Sequence, residues 1–115
     1  MRLTTDFWVS AVTRRAFAAG GFAAILRKGA EAAGAVMIMR RTKLGEIALY
    51  APAPQSSYGD ARPEERLFVE LSRSLDLSEI EAKIEREARF DPDIWVVELE
   101  VDEVLFAEIV PTTMP

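Results

Sequence analysis

SEIEAKIEREARFDPDIWVVELEV, residues 78–101, changes its apolar period once, and that change decides the fold. Through Ala88 the apolar residues recur at every fourth position: Ile80, Ile84 and Ala88 form the narrow seam of a surface helix. From Ile94 onward they alternate, with Trp95, Val97, Leu99 and Val101 on one side and Ile94, Val96, Glu98 and Glu100 on the other. Asp91-Pro92 separates the two patterns, because the residue before a proline is pushed out of the helical region. Ser78 and Glu81 read as a capping box at the helix start. Glu79 with Lys83, and Glu85 with Arg89, stand at i, i+4 in the favoured order. A helix leading straight into a strand excludes an all-α or all-β fold.

The same reading extends toward the N-terminus. Arg66–Leu71 reads as a strand, and Pro52–Pro63 before it as a loop that includes Tyr58, long for a chain of 115 residues. Glu46–Ala51 reads as a strand with Ile47, Leu49 and Ala51 on one face, and Thr42–Gly45 as a hairpin turn. Ala35–Arg41 is almost wholly apolar, which suits a central strand. Gly29–Gly34 reads as a turn and Phe22–Arg27 as a further strand. The first element is a helix capped by Thr5 or Asp6 and ended by Gly20-Gly21, its apolar residues being Phe7, Trp8, Ala11, Val12, Ala16 and Ala19. Residues 104–110 are apolar and fit a strand, a short helix or an exchanged arm equally; residues 111–115 read as a flexible tail.

The order is therefore α-β-β-β-β-α-β in a single domain covering residues 1–115. It predicts an α+β, two-layer fold: a mostly antiparallel sheet of about five strands with two helices packed on one face.

Composition narrows the chemistry. The chain has no histidine and no cysteine. Thiolate nucleophiles, imidazole general bases, Ser-His triads of the usual kind, and zinc sites built on thiolate or imidazole are thereby excluded. The lack of cysteine also suits a reducing compartment, and the expected location is the cytoplasm. The apolar stretch from Ala16 to Leu26 has 11 residues, against roughly 20 for a membrane-spanning helix, so no membrane partner is expected. Taken alone, the first 28 residues resemble a transit peptide; the plainer reading is the first amphipathic helix of the fold.

Charge is divided along the chain. Residues 1–50 hold 8 Lys/Arg and 3 Asp/Glu, residues 51–115 hold 6 and 16, and the net charge is −5. Such halves either face each other, within a monomer or across a dimer, or mark a nucleic-acid-binding region.

Several stretches resemble a known family. Phe7-Trp8-Val9-Ser10-Ala11-Val12-x-Arg14-Arg15, Ala19-Gly20-Gly21-Phe22-Ala23, Leu26-Arg27-Lys28-Gly29 and Ala33-Gly34-Ala35-Val36 carry the likeness in the first half. Leu49-Tyr50-x-Pro52-x-Pro54-Gln55 and Arg86-Glu87-x-Arg89-Phe90-Asp91-Pro92-Asp93-Ile94-Trp95-Val96-Val97-Glu98 carry it in the second. Over nearly its whole length the chain resembles a domain-of-unknown-function family of short alphaproteobacterial proteins. The resemblance implies a bacterial cytoplasmic protein and no known activity, so it supplies no catalytic residues. The chain departs from the family's frequent acidic residue after the first-turn glycine, having Ala30 and then Glu31.

Each candidate site has a plainer reading beside it. Asp91 and Asp93, with Glu98 near, could hold a divalent cation for a metal-assisted carboxylate hydrolase; the plainer reading is a helix-to-strand turn whose carboxylates accept backbone N–H groups. Glu98 and Glu100, roughly 7 Å apart on one strand face, suit acid–base work on a glycosidic bond or simply a charged edge. Arg14/Arg15, Arg27/Lys28 and Arg40/Arg41/Lys43 could converge on phosphates, with Trp8, Phe22 and Tyr50 as stacking surfaces. Against this, the net charge is acidic, and such residues commonly solvate element ends. Trp8 and Trp95 are read as core or interface anchors. Gly20-Gly21 and Gly29 are turns, since no phosphate-binding glycine motif follows them.

The reading with the most support is a non-catalytic binding module without a cofactor. Its partner is a second copy of itself or another protein; a nucleic-acid-binding accessory protein and the hydrolase are the alternatives. The possible binding surface comprises Arg14, Arg15, Arg27, Arg40, Arg41, Trp8, Trp95, Asp91 and Asp93.

Overall fold

The computed structural model describes residues 3–54 and 66–113. The Pro52–Pro63 loop with Tyr58 lies, from residue 55 on, outside the described residues. The elements are α1 (Thr5–Ala18), β1 (Phe22–Arg27), β2 (Val36–Arg41), β3 (Ile47–Pro52), β4 (Phe68–Ser74), α2 (Leu77–Phe90), β5 (Trp95–Glu100) and α3 (Glu103–Ile109). The five strands form one sheet in the order β1-β5-β2-β3-β4. All neighbours are antiparallel except β2 and β5, which run parallel. The α+β class and the mostly antiparallel sheet thus match the sequence reading.

The expected placement of both helices on one face does not hold. Val36 and Ile38 of β2, Ala48 and Tyr50 of β3, and Trp95, Val97 and Leu99 of β5 pack with Val9, Val12 and Ala16 of α1 and with Phe106 and Ile109 of α3. Met37, Met39, Ile47, Leu49, Ile94 and Val96 point the other way and pack on Ile80, Ile84 and Ala88 of α2. The reason is in the strands themselves. Residues 36–39 and 47–50 are buried at every position, so both faces of the central sheet are apolar and both must be covered. The result is three layers, with α1 and α3 on one side and α2 on the other.

Local chemistry corrects several boundaries. Thr4, not Thr5 or Asp6, caps α1, its hydroxyl accepting from the Phe7 N–H. Thr5 is buried and donates to the Gly34 carbonyl at 2.8 Å while accepting from Arg66. The buried stripe of α1 is consequently Thr5, Val9, Val12 and Ala16, and Phe7 and Ala19 face outward. At α2 the cap is Asp76, whose carboxylate accepts the Ser78 N–H at 2.9 Å. The expected Ser78/Glu81 box is displaced because the earlier carboxylate takes the free donors first. Strand β4 begins at Phe68 and reaches Ser74, beyond the expected Leu71.

Residues 104–110, for which strand, helix and arm all remained open, form α3 and its cap, with Asp102 accepting the Leu105 N–H. Pro111–Thr113, expected within the tail, instead bond both backbone groups of Phe68. The turn at Thr42–Gly45 is as expected, with Gly45 at a φ of 85°. The 29–34 segment folds over the start of β5: Ala30 N–H donates to the Asp93 carbonyl, and the Trp95 indole N–H donates to the Ala30 carbonyl at 2.8 Å. A Cβ at Gly29 would overlap the Asp93 carbonyl oxygen and lie 2.7 Å from Trp95 Cδ1, so only glycine admits this approach.

Candidate functional site

Three surface features arise from this frame. The first is a groove of about 620 Å³ where α2 leaves part of its sheet face open. Its apolar lining comes from Leu26, Met39, Leu77, Ile84 and Val96. Arg27 and Arg41 contribute positive charge; Glu81, Glu85 and Glu98 contribute negative charge. Arg27 donates to the Pro92 carbonyl at 3.0 Å, while its buried Nε has no partner among the described residues.

The second feature joins β2 to the end of β5. Glu98 and Glu100 lie on one face of β5 and converge on Arg41. The Arg41 Nε stands 3.6 Å from Glu98, and the Arg41 backbone N–H donates to Glu100 at 3.1 Å. Burial pushes the Glu100 carboxyl above the usual carboxylate range, the neighbouring Glu98 pushes it further, and the Arg41 N–H opposes the shift. Glu100 thus keeps its proton to a higher pH than an isolated carboxyl does. Arg40 beside it pairs with Glu103 and lies 4.1 Å over the Phe106 ring.

The third feature is the outer edge of β1, a strand that among the described residues pairs with β5 alone. Phe22, Ile25 and Leu26 are 45%, 50% and 50% exposed, large values for such side chains in a strand. Exposed Phe17 of α1 extends the patch, its ring edge-on to Phe22 at 6.0 Å.

The residues singled out from the sequence do not form one surface. Arg14 is exposed on α1, and Arg15 beside it pairs with Glu108 of α3. Lys28 pairs with Glu31, and Lys43 lies with Arg40 and Arg41 in a separate depression near Gly20-Gly21. The basic first half thus meets the acidic second half within one chain, through Arg15–Glu108, Arg40–Glu103 and Arg41–Glu98. Trp8 is half-buried against Phe68 at 6.2 Å, with the Arg66 guanidinium 5.2 Å above it; Tyr50 is buried against Phe106. Trp95 is a core anchor. Asp91 accepts the Asp93 N–H at 3.1 Å, the turn geometry of the plainer reading. Among the described residues no three Asp or Glu side chains gather in an arrangement able to hold a metal ion.

Sequence reasoning passed over Phe17, Ile25 and Leu26 as surface residues. The available signal was the uncharged run Phe22–Leu26, but whether such a strand lies at the centre or the edge depends on strand order.

The fold defines a small mixed-sheet α+β protein with helices on both faces and, among the described residues, a β1 edge that no other strand covers. Residues 3–105 match the family model described as "Protein of unknown function (DUF1491)", and the chain belongs to that family. It is similar to the solution structure of protein Atu0922 from A. tumefaciens, at 46% identity and a TM-score of 0.79, covering 100% of this chain and 98% of that one. It is also similar to a DUF1491 family protein from Caulobacter crescentus in a crystal structure, at 40% identity, a TM-score of 0.69 and 86% of each chain. An NMR structure of a DUF1491 family protein from the same organism gives 35% identity and a TM-score of 0.73, over 100% of this chain and 98% of that one. No curated protein matches. No helix among the described residues is long and apolar enough to cross a membrane.

Proposed function

We propose that this chain is a non-catalytic binding module of the bacterial cytoplasm that associates with a second copy of itself. The observation that carries the reading is the exposure of Phe22, Ile25 and Leu26, each about half exposed on β1 at the sheet edge, with exposed Phe17 of α1 edge-on to Phe22. Leaving such a patch in water forfeits the burial free energy of several large side chains, about 25 cal/mol per Å² of apolar surface. Patches of this kind mark contact surfaces. The residue inventory agrees, since without histidine and cysteine the chemistry open to the chain is mostly that of carboxylates. The nucleic-acid alternative gains nothing from the geometry, because Arg15, Arg40 and Arg41 already lie against carboxylates.

Size-exclusion chromatography with light scattering at tens of micromolar tests the reading. A mass of twice 12.8 kDa is expected. A strictly monomeric species at that concentration ends it.

A further inference from the structure

We infer that β1 is the seam of the dimer: Phe22–Leu26 of one copy pairs antiparallel with the same residues of a second copy, joining two five-stranded sheets into one. This rests on the self-association reading above and names the surface that performs it. An edge strand presents a row of unpaired N–H and C=O groups, and folded proteins usually blunt such an edge with charge, proline, a bulge or a covering segment.

The two edges of this sheet are treated differently. On β4, Pro111–Thr113 occupy both backbone groups of Phe68. Glu70 and Arg73 add a charged pair to the same strand, at 2.5 Å. On β1 there is no charge or proline from Phe22 to Leu26, and no described residue other than those of β5 pairs with the strand. Its bulge lies between Ile25 and Arg27, which leaves Phe22–Ile25 in regular register.

Charge selects the occupant and its direction. Arg27 and Lys28 follow the apolar run, while at its opposite end Phe22 stands across from Glu100 on the neighbouring strand; the surface beyond Gly21 is mixed, with Asp102 and Glu103 beside Arg40, Arg41 and Lys43. Antiparallel pairing of two copies brings Arg27 and Lys28 of each toward Glu100 of the other. Parallel pairing would set like charges together. A second copy therefore supplies the apolar strand and the complementary ends at once.

Amide hydrogen exchange on the full chain, above and below the dimer dissociation constant, reads the seam directly. Concentration-dependent protection confined to Phe22–Leu26 is expected. Ile25→Lys should weaken dimerisation by at least roughly tenfold, while Leu71→Lys on β4 should leave it unchanged; circular dichroism confirms that each variant folds. A dimer by mass with protection elsewhere, or one indifferent to Ile25→Lys, overturns the seam and leaves self-association standing. A monomer by mass overturns both.

Discussion

At Gly29 a methyl group has no space. The overlap with the Asp93 carbonyl is with backbone of the helix-to-strand turn, which cannot swing aside as a flexible side chain would. Gly29→Ala is therefore expected to destabilise the fold by about 2–3 kcal/mol, the upper range for overpacking. Urea unfolding followed by tryptophan fluorescence measures this, because Trp95 sits under the same loop. Glu100 provides a second test, one of sign. Its carboxyl is raised in the folded chain, chiefly by burial, so the folded state holds this proton more tightly than the unfolded state does. Stability from this group is fully present below the ordinary carboxylate range and is lost as pH rises through the raised value. Glu100→Gln retains an acceptor for the Arg41 N–H and removes the charge. The variant should have the higher melting temperature at pH 7, with the advantage shrinking toward pH 4. An advantage that grows on acidification would contradict the assignment.

Among elements, α2 shows where sequence and structure part. Its seam of Ile80, Ile84 and Ala88 and its stop at Asp91 were legible, because period and proline are local signals. Its cap was not, because Asp76 and Ser78 both offer a suitable oxygen and only the path of the chain leaving β4 decides between them. Asp76→Ala is expected to cost about 1 kcal/mol, and Ser78→Ala only a few tenths; chemical denaturation of the two variants separates the alternatives. The same contrast runs through the sheet. The turn at Gly45 and the alternation of β5 could be read residue by residue. The layering could not be read from helix count, yet it was implied by residues 36–39, which are apolar on both faces and thus need two covers. Residues 104–110 stayed ambiguous because a short apolar run has too few positions to display a period, and only docking of Phe106 and Ile109 on the sheet settles it as a helix.

Across the whole molecule, charge and apolar surface are distributed by different rules. The basic and acidic halves largely satisfy each other inside one chain, as Arg15–Glu108 and Arg40–Glu103 show. These pairs are partly exposed and individually weak. The candidate residues spread over α1, the ends of β1 and β2, and the turn before β5, because three-dimensional proximity depends on strand order, which neighbouring residues do not encode. Large apolar side chains remain exposed at scattered positions such as Leu44, Leu75, Phe90 and Val104, and at Phe22, Ile25 and Leu26 together on the β1 edge. The central claim is that this edge makes the protein a self-associating module. Sedimentation equilibrium over a dilution series, from about 1 to 100 µM to span dissociation constants typical of small interfaces, tests it most directly. The account predicts a weight-average mass rising from 12.8 kDa toward twice that value; a mass fixed at the monomer value throughout would contradict it.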